Sequence, residues 1–153
     1  MSRLEPMAWF GTLAILTGVV IWEGARRAEL EAELPIESKE LYGKLAKSSV
    51  RLQLIDVRTD GDEFEDAHVP GAIPFPGCDP SATDSKALPR ILASAPSVII
   101  SEDGDAQVFA KCRAHFTTAR NLAGGMAAWS DANYPEDVGE YTPPRAAAGG
   151  GCL

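Results

Sequence analysis

The chain is poor in the residues that build metal centres and disulfide scaffolds. Its 153 residues include three cysteines, Cys78, Cys112 and Cys152, and two histidines, His68 and His115. No CxxC pair or metal-knuckle spacing occurs, which argues against a zinc site. Three cysteines do not suggest a disulfide framework, and so few fit a reducing compartment. Positive charge is also scarce. The 14 Lys and Arg face 22 Asp and Glu, for a net charge of −8, and the cations are scattered. An acidic chain without a basic stripe argues against nucleic acid as a partner. The hydrophobic share, 45%, is ordinary for a globular protein, and the length suits one compact domain with some chain left over.

Charge is distributed unevenly. Residues 1–27 hold Arg3, Arg26 and Arg27 against Glu5 and Glu23, a net of +1, so the remainder carries −9. After a flank of residues 1–5, "PMAWFGTLAILTGVVIW" (6–22) contains no charged side chain. A helix of that length spans roughly 25 Å, near the lower limit of about 17 residues for crossing a bilayer. Trp9 and Trp22 lie near its ends, where indole rings favour the membrane interface. A cleaved signal peptide is disfavoured by the weakly basic start and by Glu23 where a small residue is needed before Ala25. A buried globular helix is rarely apolar all round at this length in so small a chain, which leaves a short monotopic helix as the main structural alternative. The expectation is a single-pass anchor in contact with lipid. Arg26, Arg27 and Lys39 follow it, against Arg3 and the terminal amine before it, which puts the following domain on the cytoplasmic side. Residues 23–35, rich in helix formers and closed by Pro35, read as a helical stalk.

Beyond Pro35 the pattern alternates between strand and helix. "IESKELYGKLAKSS" reads as a helix with Leu41 and Leu45 on one face and Ser38 as its cap. "VRLQLIDV" and "SVII" read as buried strands, and "DAQVFAKCRAHFTTA" as a helix with Val108, Cys112 and Phe116 inward. A further helix is expected from about Asp84 to Ser94. The alternation implies an α/β fold with a parallel sheet flanked by helices. From residue 138 the Pro- and Gly-rich stretch reads as a disordered tail.

Two motifs carry a resemblance. "LIDVRTDGDEFEDAHVPGAIPFP" (54–76) and "NLAGGMAAW" (121–129), followed by Tyr134-Pro135, resemble the entry and exit signatures of the rhodanese-like domain. The likeness covers about residues 36–137. It implies a small five-stranded parallel sheet and an active loop between "VII" and the next helix. In that family a cysteine opens the loop and carries a persulfide. A thiolate there is stabilised by N–H donors at a helix N-terminus. The resemblance places Ser101 at the nucleophile position, with Glu102, Asp103, Gly104, Asp105, Ala106 and Gln107 completing the loop. A serine hydroxyl forms no stable persulfide, and the added carboxylates repel anions such as thiosulfate. Gly104 alone keeps the family's turn.

The expectation is therefore a degenerate loop without sulfurtransferase chemistry, on an anchored domain that serves as accessory subunit or docking module of a membrane complex. No cofactor and no metal are expected. Cys78, in the turn "PGCDP", is read as solvent-accessible and is the thiol on which an alternative sulfurtransferase or sulfur-carrier reading rests. Cys112 reads as core packing. Asp56 and Arg58 are expected to pair and brace the loops at the sheet's C-terminal edge, and His68 to serve as a hydrogen-bonding turn residue. Three carboxylates in "EDGD" would suit a hard cation, but a solvated tip or a contact with a basic partner surface are the simpler uses.

Overall fold

A computed structural model describes residues 35–47 and 52–143. Four short parallel strands form the sheet: β1 (Gln53–Asp56), β2 (Ile73–Pro74), β3 (Ser97–Ile100) and β4 (Ala119–Asn121), in the order β2-β1-β3-β4. Beside β4, Ile36 makes a single parallel bridge to Leu122, where a fifth strand would lie. The helices are α1 (Ser38–Leu45), α2 (Gly61–Asp66), α3 (Ala106–Arg113) and α4 (Gly125–Asp131).

The sheet is central because its strands are apolar on both faces. All four residues of β3 are buried. Side chains alternate across a strand, so the same strands feed two cores. Leu54, Val98 and Ile100 join Leu41, Phe64, Met126 and Trp129 on one face. Ile55, Val57 and Ile99 join Phe75, Cys78, Cys112 and Phe116 on the other. Trp129 closes the first core at 1% exposure, and its Nε1–H donates to Pro135 O at 2.9 Å.

Several local expectations are corrected. The stretch from Asp84 to Ser94 forms turns and one 3-10 turn, Leu88–Arg90, instead of a helix. Pro89 at its centre has no N–H to donate and blocks a regular helix. Ser38 lies inside α1, whose cap is Glu37, and the buried Ser38 Oγ has no hydrogen-bond partner. Residues 138–143 pack back onto the domain. Gly139 N–H donates to Glu65 O at 2.6 Å, and Tyr141 packs against the first core. Residues 1–34 lie outside the described residues, and with them the expected anchor and stalk. Among the described residues, no helix is long and apolar enough to cross a membrane.

Candidate functional site

The C-terminal ends of β1 and β3 place their following loops side by side, where open α/β sheets locate ligand sites. Asp56 ends β1 and is 2% exposed, and Arg58 follows at 9%. Arg58 grips Asp56 through Nη2 at 2.8 Å and Nε at 3.1 Å, while Nη2 also donates to Ala67 O at 2.7 Å. A longer contact, 3.5 Å, joins Nη1 to Glu102 of the neighbouring loop. Burial works against the guanidinium charge. The Asp56 hydrogen bonds and the Asp56, Glu102 and Glu63 charges outweigh it and hold Arg58 above its ordinary range. Arg58 thus ties β1, the end of α2 and the β3 loop together.

His68 follows Ala67, whose carbonyl that brace holds, and is buried. Its ring stacks on Phe64 with centroids 4.0 Å apart, and Nδ1 lies 2.8 Å from Phe64 O. A carbonyl only accepts, so Nδ1 carries the proton in this contact. The backbone of His68 also pairs with Asp137 in an antiparallel bridge. These contacts position the ring as a turn element.

The β3–α3 loop runs from Ser101 to Asp105. Ser101 is 5% exposed, and its Oγ accepts from Gly104 N–H at 3.1 Å. Asp103 Oδ1 accepts from Asp105 N–H at 3.0 Å. Asp105 Oδ1 caps α3, accepting from Gln107 N–H at 2.7 Å and Val108 N–H at 2.8 Å. Four N–H groups of the loop and the first turn of α3 are therefore taken by oxygen atoms of the loop itself. From below, Met126 and Ala127 of α4 donate to the Ser101 and Glu102 carbonyls, and Asn121 Nδ2 donates to Gly104 O at 2.7 Å.

Gly104 is needed for two reasons. Its φ is +76°, and a Cβ there would fall 2.6 Å from Gly124 N. The contacts of Asp105 and Asn121 were legible only in part. An Asp before a helix is a cap signal, whereas the reach of Asn121 across 17 residues has no local signature.

A cavity of about 290 Å³ lies against the loop, lined by residues including Val57, Arg58, Ser101, Glu102, Lys111 and Cys112. Its rim also carries Glu63 and Asp103. A second cavity of about 310 Å³ lies on the α2 side of Arg58, and Asp56 and Tyr141 share its lining. Among the described residues, no group of three or more His, Cys, Asp and Glu side chains could hold a metal ion.

Cys78 is the principal correction to the site. It is 3% exposed and forms a disulfide with the fully buried Cys112, their Cα atoms 5.3 Å apart. Its turn is ordered by backbone bonds. Cys78 N–H donates to Phe75 O, and Gly77 N–H donates to Val57 O. The turn "PGCDP" therefore folds over Val57 and delivers the sulfur inward, to α3. As bonded here, Cys78 offers no free thiol to solvent.

Fold and motifs together define a small α/β domain with a parallel sheet flanked by helices. The chain belongs to the rhodanese-like domain family, whose model matches residues 37–132. Solved structures agree. The chain is 28% identical to a rhodanese-like domain protein from Staphylococcus aureus, covering 70% of this chain and 99% of that one, with a TM-score of 0.54. The rhodanese-like domain of the Alr3790 protein from Anabaena is 23% identical over 74% of this chain and 87% of that one, with a TM-score of 0.57. The BH2092 protein from Bacillus halodurans is 19% identical over 76% and 85%, with a TM-score of 0.58. No curated protein matches the chain.

Proposed function

We propose that this chain is a rhodanese-like module that has given up sulfur transfer and serves as a docking subunit, tethered to a bilayer through residues 6–22. One observation carries the reading. The loop that would hold a sulfur nucleophile and an anion is occupied by its own oxygens. Ser101 accepts the Gly104 N–H, and Asp103 and Asp105 accept those of Asp105, Gln107 and Val108. A thiosulfate anion arriving there would find these four donors engaged and carboxylates beside them.

The same edge of the sheet offers a surface for protein contact. Asp60, Asp62, Glu63, Glu65 and Asp66 around α2 are exposed, as are Glu102, Asp103 and Asp105 on the loop. Glu63, Glu102 and Asp103 meet at one cavity rim. Such a field steers a partner with a basic surface and disfavours an acidic one. The partner class is therefore another subunit of a membrane complex that presents Lys and Arg to this edge.

The test is affinity capture from gently solubilised native membranes, comparing the full chain with Glu63→Lys/Asp103→Lys. A stoichiometric complex held by the unaltered chain and released by the charge reversal supports docking through this edge. The absence of any stoichiometric companion contradicts the docking role. Equal retention by the reversed variant contradicts the acidic edge as the contact.

A further inference from the structure

We infer that the Cys78–Cys112 pair is a structural disulfide installed in an oxidising compartment, and that the domain works on the non-cytosolic side of its membrane. The compartment follows from the bond alone, the side of the membrane rests also on the tether proposed above, and neither rests on the docking role.

The geometry suits a permanent bond. The Cα separation of 5.3 Å lies within the range of unforced disulfides. Both residues are sealed in the second core among Ile55, Val57, Phe75 and Phe116. A bond buried this way is shielded from attacking thiolates, unlike the exposed disulfides used for exchange. Its neighbours give it a purpose. The second core has a thin cover: α3 is eight residues long, and the segment between β2 and β3 supplies only two three-residue 3-10 turns. Leu88 and Leu92 of that segment are 39% and 56% exposed and add little buried area. The disulfide ties the first of these turns to α3, across the layer where packing is sparse.

Formation of the bond removes two electrons and two protons from the Cys78 and Cys112 thiols. A protein disulfide of the thiol-oxidase class accepts them and leaves as a dithiol. Such donors act in extracytosolic compartments, and the cytosol keeps thiols reduced. The flanking charges oppose this placement only slightly: Arg26, Arg27 and the more distant Lys39 stand against Arg3 and the terminal amine. A buried disulfide within the folded core outweighs that margin.

The experiment uses the full chain in its native cells, with Cys152→Ala to leave two cysteines. Cells are quenched in acid, denatured, and alkylated with a maleimide-polyethylene glycol, with and without prior reduction. The expected result is no added polymer before reduction and two after it. Two additions without reduction overturn the disulfide. A parallel aliquot of intact cells, stripped of any outer wall, is treated with protease. Loss of the domain supports the placement. Protection in intact cells followed by loss once a pore opens the cytosol but spares any internal membrane overturns it.

Discussion

Reduction of the Cys78–Cys112 bond should cost the fold about 3.8 kcal/mol. The two residues are 34 apart in sequence. In the chain-entropy account, a cross-link closing a loop of that size removes about 12.6 cal/mol/K from the unfolded ensemble, or about 3.8 kcal/mol at room temperature. The unstrained Cα separation lets most of this appear as stability. A small domain has a total of only about 5–15 kcal/mol, so the loss is a large share. With urea slopes of about 1–3 kcal/mol/M, the midpoint should fall by roughly 1.3–4 M. The assay is equilibrium urea unfolding of the full chain in mild detergent, oxidised against reduced, followed by Trp129 fluorescence with Trp9 and Trp22 replaced by Phe. Cys78→Ala/Cys112→Ala should fall about 1–2 kcal/mol below the reduced chain, because buried sulfur atoms are also lost. Coincident midpoints for the oxidised and reduced chains would refute the reasoning.

Gly104→Ala should destabilise the domain by about 2–3 kcal/mol, since it forces a side chain into a positive-φ site already closed by Gly124 N. Thermal unfolding checks this, and an unchanged midpoint would mean the loop relaxes freely. Asp56→Asn should cost about 3–5 kcal/mol, because Arg58 then keeps its charge at 9% exposure without its main partner. Chemical denaturation reads that loss, and an effect under about 1 kcal/mol would show that Arg58 turns outward. Glu40 is held below its ordinary 4.5 by hydrogen bonds from Arg120 and Lys44. A depressed carboxylate contributes above its unfolded value and loses that contribution as pH falls through the folded one. Unfolding midpoints from pH 6 downward should therefore drop less below pH 4.5 in Glu40→Gln than in the unaltered chain. The difference should shrink in high salt, because the pair is solvent-exposed.

The sheet could be read from the sequence because β1 and β3 are short apolar runs ended by polar residues. Burial on both faces leaves no other comfortable place for "LID" or "VII". The loop after β3 was legible for the same reason, since a strand ending in "VIISEDGD" must turn at the carboxylates. Asp105, read from the sequence as the start of the helix, caps it instead, accepting from Gln107 and Val108 N–H just after the turn at Gly104. What stayed hidden is non-local. The partner of Cys78 lies 34 residues away, and spacing alone does not fix a pairing. The turn "PGCDP" has the composition of an exposed loop, yet Gly77 N–H bonds to Val57 O and folds it over the sheet. The stretch from Asp84 to Ser94 has helix formers on both sides of Pro89, and one missing N–H defeats them. Tyr141 looked like tail because only one aromatic side chain marks its return to the core.

The most direct test of the account is a sulfur-donor experiment on the full chain as purified from native membranes. The chain, carrying Cys152→Ala so that no third cysteine can take up sulfur, is incubated with thiosulfate, freed of excess donor, and divided. One portion is weighed intact by mass spectrometry, and the other is given cyanide and assayed for thiocyanate. The account predicts no mass gain of a sulfur atom and no thiocyanate above a chain-free blank, because Ser101 cannot carry sulfur and Cys78 is bonded to Cys112. A retained sulfur atom that passes to cyanide and disappears in Cys78→Ser would contradict it.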